Sequence, residues 1–238
     1  MLNVNSKTAM NKLNLNITKQ AFIGLAALAV IMWLTLFLPA GSLNYWQGWL
    51  FWITFTASVS VITTYFLKKD LILIANRLKA GPAAEKEKNQ QITQAFAAVF
   101  FILLLVVPPV DFRFHWSTVP WFLVLVSDIF VIVGLGVIFL VFRENSYTSA
   151  VIEINAGQKV ISTGPYGIVR HPMYSGALLM LVFTPLTLGS FWGVVFFLPI
   201  LLVIGFRLVG EEKFLTKNLV GYSEYTKKIR HRLIPFVW

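Results

Sequence analysis

Long apolar runs alternate with short polar segments along the chain. The runs are continuous, with no strict alternation of polar and apolar positions, which favours helices over half-exposed strands. Several approach or reach the roughly 20 residues that an α-helix needs to cross a bilayer. Lipid offers no hydrogen-bond partners to the backbone, so the pattern predicts an all-α, polytopic integral membrane protein. The apolar runs cover residues 21–38, 48–67, 95–110, 120–142 and 173–206.

The last apolar run is too long for one crossing. As a single helix, residues 173–206 would extend ~51 Å, against a hydrocarbon core of about 30 Å. Gly189 and Ser190, with Pro185 before them and Pro199 after, predict a turn in the middle. The run therefore predicts a short hairpin, which gives about six membrane helices in all. Each half is short for a full crossing, so tilted, kinked or partly embedded helices all fit.

The polar segments predict the orientation of the chain. Residues 1–20 are interpreted as a short arm, 68–94 as an amphipathic or irregular connection, 143–172 as a loop rich in turn formers, and 207–238 as a region with a helix. These four segments hold every Lys and Arg of the chain except Arg113. Basic residues collect on the cytoplasmic side of membrane proteins. The pattern predicts that the four segments and both termini are cytoplasmic.

Composition supports a membrane protein and excludes several kinds of site. Only 13% of the residues are charged, whereas soluble domains average about 25%. The net charge of +10 is explained by the cytoplasmic bias and by contact with anionic lipid head groups, so no nucleic-acid partner is expected. The absence of cysteine excludes disulfides, thiolate ligands and a thiol nucleophile. His115, His171 and His231 are too scattered to predict a metal site.

Candidate chemistry is concentrated in the last two polar segments, which the predicted topology brings to one side. Taken singly, each residue has an ordinary explanation, such as topogenic charge, a proline at the first position of a helix, or interfacial tyrosines. Their combination on one side of the membrane favours a functional site. The motifs are Gly164-Pro165-Tyr166, Arg170-His171-Pro172-Met173-Tyr174, Arg207-x-x-x-Glu211-Glu212, and Gly221-Tyr222-x-x-Tyr225 followed by Arg232-Leu233-Ile234-Pro235.

This combination resembles the superfamily of isoprenylcysteine carboxyl methyltransferases and phospholipid methyltransferases, which are helical membrane enzymes. The resemblance covers residues 134–238, while residues 1–120 share only a general likeness of helices. It divides the chain into N-terminal membrane helices with their connection, 1–120, and a catalytic core, 121–238, which we expect to form one structural unit. It implies S-adenosylmethionine as cofactor. The cofactor contacts that it implies are Gln158, Lys159, Val160, Ile161, Tyr166, His171, Pro172, Met173, Tyr174 and Glu211.

The chemistry of these residues agrees with the resemblance. Glu211 can accept hydrogen bonds from the ligand's ammonium, and a tyrosine face attracts the cationic sulfonium. The resemblance also implies that Arg207 faces the acceptor, and Gly134-Leu135-Gly136 resembles a Gly-x-Gly near the cofactor, with close helix packing as the alternative.

The expected acceptor is lipidic or membrane-dissolved. Arg207 can hold a carboxylate in a bidentate contact, whereas an amine acceptor would need a base such as Glu212. O-methylation of an isoprenylcysteine-like carboxylate is favoured. N-methylation of a phospholipid amine, S-methylation of a small thiol, and a non-catalytic scaffold or transporter with Asp128 in a span remain alternatives. Besides the acceptor, the expected partners are membrane lipids, and the oligomeric state is left open.

Overall fold

The computed structural model describes residues 4–78, 85, 87–149, 151–152, 154 and 157–238, with the side chains of residues 4–10 left out. Within these ranges the protein is all-α, as predicted. Two 3-10 segments, Gly164–Gly167 and Trp192–Phe196, complement the α-helices. The α-helices are α1 (Val4–Ala40), α2 (Trp46–Lys69), α3 (Leu71–Leu78), α4 (Lys88–Phe114), α5 (Trp121–Glu144), α6 (Pro172–Thr187), α7 (Phe197–Asn218) and α8 (Tyr222–Lys228).

Five segments of the described chain are long and apolar enough to cross a membrane, which makes this a multi-pass membrane protein. They are Asn11–Ala40, Trp46–Lys69, Lys88–Phe114, Trp121–Glu144 and Trp192–Asn218. The sixth apolar helix, α6, has 16 residues. At 1.5 Å per residue it extends about 24 Å, which is short of the hydrocarbon core.

The predicted hairpin over 173–206 is confirmed, but its halves are unequal. α6 ends at Thr187, and Gly189 takes a positive φ of 78° in the turn that follows. The second half continues as α7 to Asn218, well beyond the predicted end at residue 206. Arg207, Glu211 and Glu212 therefore project from a membrane helix as it leaves the apolar layer. The predicted end of this helix at residue 206 was wrong, because hydropathy marks the end of an apolar run and not the end of a helix.

Two other bounds differ from the sequence interpretation. Residues 4–20, interpreted as an arm, extend α1 without a break, since no Gly or Pro interrupts them. α4 continues through Pro108 and Pro109 to Phe114, four residues beyond the predicted end. Asp111 lies in this extra turn and accepts hydrogen bonds from the Ser117 hydroxyl and the Ser190 hydroxyl, both at 2.5 Å. The extension thereby ties α4 to the turn between α6 and α7.

The α5–α6 contact positions the loop that joins these helices. A Cβ on Gly134 would lie 2.6 Å from the Gly176 carbonyl oxygen, so the two backbones touch. A Cβ on Gly136 would meet nothing within 4 Å. The close-packing alternative for Gly134 is therefore what the structure has, as small residues at membrane helix interfaces generally provide.

Asp128, the acid inside a span, is paired across the bundle. Its Oδ2 accepts a hydrogen bond of 2.9 Å from the Thr54 hydroxyl of α2. The residue is 6% exposed, so this bond links α2 and α5 in the interior. The partner of Asp128 lies on α2 and is not the neighbouring Ser127. The hydropathy of a single helix gives no information about a partner on another helix.

Candidate functional site

A pocket opens at the end of the bundle where α5 ends and α6 begins. The empty space in it, with the open solvent at its mouth included, is about 820 Å³. Its walls are residues 145, 147–149, 151–152 and 158–161 after α5, the 3-10 helix Gly164–Gly167, the first turn of α6, the polar end of α7, and α8. The ten residues predicted to contact the cofactor all line it: Gln158, Lys159, Val160, Ile161, Tyr166, His171, Pro172, Met173, Tyr174 and Glu211.

Local sequence chemistry fixes Tyr166 in this wall. Pro165 sits in the first turn of its 3-10 helix, as its fixed φ favours, and the Thr163 hydroxyl before it bonds to the Glu144 carboxylate at the end of α5. Asn145 Nδ2 donates to the Tyr166 phenolic oxygen at 3.0 Å. Burial raises the pKa of Tyr166 to about 12, so the phenol is neutral at physiological pH. The pocket therefore has a fixed, uncharged aromatic ring at this position.

Glu211 forms the acidic part of the pocket. The Tyr174 hydroxyl donates to Glu211 Oε2 at 2.7 Å. The same hydroxyl accepts a hydrogen bond of 3.0 Å from Arg207 Nε. Tyr174 therefore connects a pocket carboxylate on one side to Arg207 on the other.

Arg207 lies one side chain behind the pocket wall and is not part of the lining. Its side chain is 12% exposed, and its Nη2 lies 2.7 Å from Glu85 Oε1. Nη1 donates to Gln90 Oε1 at 3.4 Å. Arg207, the predicted acceptor-side arginine, thus contacts the pocket residue Tyr174 and is paired with an acid from the N-terminal half of the chain.

The structure does not bring Glu212 into the pocket. Its Oε1 lies 2.8 Å from Arg170 Nε and 3.2 Å from His171 Nε2, and its Oε2 lies 2.9 Å from Arg232 Nε. The backbone continues this junction, because Arg170 N donates to the His231 carbonyl at 2.9 Å. Glu212 therefore joins α7 to the segment before α6 and to the segment after α8.

Sequence reasoning missed part of the pocket. The lining also contains Asn145, Tyr147, Thr148, Ser149, Val151 and Ile152 after α5, together with Arg170, Leu215, Leu219, Tyr222 and Tyr225. The last two tyrosines belong to a motif that the sequence singled out, and burial raises the pKa of both. The residues after α5 gave no signal beyond turn formers.

The loop after α5 is held by residues far away in the sequence. Arg77 Nη1 of α3 donates to the Ser149 carbonyl at 3.2 Å, and burial lowers the pKa of Arg77. Ile152 N donates to Glu85 Oε2 at 3.2 Å. The N-terminal half of the chain therefore shapes a pocket whose lining comes from the C-terminal half.

Comparison with known proteins identifies a family over part of the chain. Residues 122–220, which contain α5 from its second residue and all of α6 and α7, match the model of the phospholipid methyltransferase family. Proteins from two rice subspecies, Oryza sativa indica and japonica, both named probable protein-S-isoprenylcysteine O-methyltransferase, are each 30% identical over 122 residues. The alignments cover 49% of this chain and 63% of each rice protein.

A mouse delta(14)-sterol reductase is 30% identical over 107 residues, which make up 41% of this chain but 25% of that protein. The chain spans less than two thirds of the length of the rice proteins and a quarter of the mouse protein. The family match and the rice relatives both concern methyltransferases. Residues 122–220 are similar to the phospholipid methyltransferase family, and about half of the chain is similar to proteins named as isoprenylcysteine O-methyltransferases.

Proposed function

We propose that the protein transfers a methyl group from S-adenosylmethionine to an acceptor dissolved in the membrane. One observation carries the proposal: Glu211, Tyr174 and the stretch from Gln158 to Met173 converge on a single pocket at the end of a membrane bundle. Arg207, which the family resemblance assigns to the acceptor, lies beside this pocket through Tyr174. The family match over residues 122–220 supports the reaction class.

The pocket residues suit the chemical groups of this cofactor. A carboxylate has about four acceptor positions, so Glu211 can bind an ammonium while it accepts the Tyr174 hydroxyl. Tyr166 is neutral and offers a ring face to adenine or to the sulfonium. Lys159 and Arg170 also line the pocket. Arg170 is paired with Glu212, so Lys159 is the cation proposed to meet the ligand's carboxylate. S-adenosylmethionine would bring the transferable methyl group.

The protein's own contribution is alignment and exclusion of water. Direct methyl transfer needs no covalent intermediate, which suits a chain without cysteine. The rate gain then comes from holding the acceptor in line with the methyl group in a protected site. Tyr174 bonds to Glu211 and to Arg207 at once, so it is well placed to fix the distance between the proposed cofactor site and the proposed acceptor site.

An isoprenylcysteine-like carboxylate is the favoured acceptor. A carboxylate is ionised at neutral pH and needs only positioning, for which the planar guanidinium of Arg207 is suited. An amine acceptor needs a base, and Glu212 is engaged by Arg170, His171 and Arg232 outside the pocket. This arrangement favours O-methylation over N-methylation of a phospholipid. Analysis of the methylated product distinguishes S-methylation of a small thiol from these two reactions.

The acceptor and cofactor would reach the site by different routes. The distribution of basic residues supports a cytoplasmic position for the pocket and for both termini. The polar cofactor would enter from the cytoplasm. A lipidic acceptor would enter from the bilayer beside α7, with its tail among the helices and its head at the level of Arg207.

Cofactor binding and product identity test the proposal. Purified protein in lipid nanodiscs is titrated with S-adenosylhomocysteine by calorimetry, and then incubated with labelled S-adenosylmethionine and a total lipid extract. We expect binding and a labelled lipid. Alkali releases the label as methanol only from a methyl ester, which distinguishes O-methylation from N- or S-methylation. Absence of binding by the folded protein would favour a non-catalytic scaffold or transporter.

A further inference from the structure

Glu85 is a buried acid that the cofactor pocket does not use. Its side chain is 1% exposed. Oε1 lies 2.7 Å from Arg207 Nη2 and accepts a hydrogen bond of 2.6 Å from Gln94 Nε2. Oε2 accepts the backbone N–H of Ile152. Burial of a charge at this depth is stable only with such partners, so Glu85 is locked between α4, α7 and the pocket loop.

The same contact limits what Arg207 can bind. A guanidinium recognises a carboxylate through two parallel N–H donors. The two terminal nitrogens of Arg207 already face Glu85 and Gln90, while Nε donates to Tyr174. A second carboxylate therefore cannot form a bidentate contact with the terminal nitrogens unless Glu85 moves away.

We propose that Glu85 is a specificity-determining residue, an internal carboxylate that holds the position on Arg207 which an acceptor carboxylate would take. The inference rests on the proposed function in so far as Arg207 receives the acceptor head. A carboxylate acceptor binds by exchange with Glu85. Its charge adds no net affinity, because one ion pair replaces another and the displaced, buried Glu85 keeps only its hydrogen bonds to Gln94 and Ile152. Selection of the acceptor in the wild-type protein then depends chiefly on the tail.

A matched pair of probes tests this without cofactor. N-acetyl-S-farnesylcysteine carries a carboxylate, and its carboxamide has the same tail with a neutral head. Affinities are measured with the full chain in lipid nanodiscs. In the wild type we expect the carboxylate probe to bind no more tightly than the carboxamide. In Glu85→Gln, the remaining carbonyl oxygen can accept the Ile152 N–H, and no carboxylate at position 85 competes with the probe for Arg207. We then expect a preference for the carboxylate of roughly tenfold or more, the scale of one charge-assisted hydrogen bond.

Glu87→Gln is the matched control. Glu87 lies in the same connection, is exposed, and makes no side-chain cap to α4. We expect its probe preference to equal that of the wild type. Because Glu85→Gln leaves a buried guanidinium without its acid, it can destabilise the fold. Glu85→Asp keeps the charge but shortens the side chain, and should shift the preference in the same direction by a smaller factor.

The outcomes separate this inference from the proposed function. The test compares the affinity for the carboxylate probe with that for the carboxamide probe. If Glu85→Gln leaves this affinity ratio unchanged or lowers it, the role of Glu85 is overturned. Failure of either probe to bind to any variant would also overturn it. Affinity for S-adenosylhomocysteine is measured on the same samples. Normal S-adenosylhomocysteine binding with an unchanged ratio refutes only the role of Glu85. Absent S-adenosylhomocysteine binding with a raised ratio refutes only the cofactor.

Discussion

The hydroxyl of Tyr174 donates to the carboxylate of Glu211 at 2.7 Å and thereby joins the two halves of the α6–α7 hairpin inside the pocket. Tyr174 comes from the first turn of α6 and Glu211 from the polar end of α7. The bond holds a pocket acid in place and connects it to Arg207 through the same oxygen.

Tyr174→Phe should therefore weaken cofactor binding without removing the ring. Glu211 loses a donor and Arg207 Nε loses an acceptor. A hydrogen bond to a charged group contributes about 1.5–3 kcal/mol, so we expect S-adenosylhomocysteine affinity to fall roughly tenfold or more. Tyr65→Phe, at an exposed tyrosine of α2, is the control and should leave affinity unchanged. Equal affinity for Tyr174→Phe and wild type would contradict the prediction.

Glu211→Gln should weaken cofactor binding directly. The change keeps the size of the side chain but removes the charge that is proposed to meet the ligand's ammonium. Loss of one charge-assisted bond corresponds to a decrease of roughly 10- to 150-fold in affinity. Calorimetry with S-adenosylhomocysteine measures the effect, with Glu87→Gln as the exposed control. Unchanged affinity in the folded variant would remove Glu211 from the cofactor site.

Glu212→Gln should act mainly on stability. The carboxylate pairs with Arg170 and Arg232 and contacts His171, and its side chain is 12% exposed. Removal of one partner of a buried ion pair typically costs about 3–5 kcal/mol, and partial exposure reduces that figure. We expect a clear drop in Tm in detergent. Glu224→Gln breaks an exposed pair with Lys227 and should change Tm little. A Glu212→Gln protein with normal Tm and no activity would instead support a role as base.

Gly134→Ala should destabilise the α5–α6 contact. The new methyl group would lie 2.6 Å from the Gly176 carbonyl oxygen, and overpacking of this kind costs about 1–3 kcal/mol. Gly136→Ala has open space and should be neutral or slightly stabilising, since alanine favours helix. Thermal unfolding measures both variants. If Gly136→Ala keeps its Tm but loses affinity for S-adenosylhomocysteine, a cofactor role for Gly134 and Gly136 would be restored.

Cysteine labelling tests the orientation, because the chain has no cysteine of its own. Lys88 and Trp116 are exposed near opposite ends of α4. With cytoplasmic termini, a membrane-impermeant reagent added to intact cells should label Trp116→Cys and leave Lys88→Cys unmodified until the cells are opened. The reverse pattern would invert the proposed topology.

The sequence alone determined the class of fold and much of the pocket lining. Apolar runs located the membrane helices, because the free energy of transfer to lipid is a sum over neighbouring residues. The turn at Gly189 was predicted from the length of the apolar run 173–206 and from the turn-forming residues within it. Six of the ten predicted cofactor residues lie in short motifs, so their resemblance to a family could be seen without a structure, whereas residues 158–161 were assigned by position in the resemblance alone.

Only the tertiary structure decided which partners the polar residues have. Glu85 pairs with Arg207, and Thr54 with Asp128, across elements that are distant in the sequence. Glu212 is held outside the pocket by Arg170 and by a segment after α8. Hydropathy and motifs describe each segment by itself, whereas an ion pair depends on which segments are packed at the same depth. Pairing of buried charges is therefore a property of the packed bundle, and it altered the interpretation of Arg207 and Glu212.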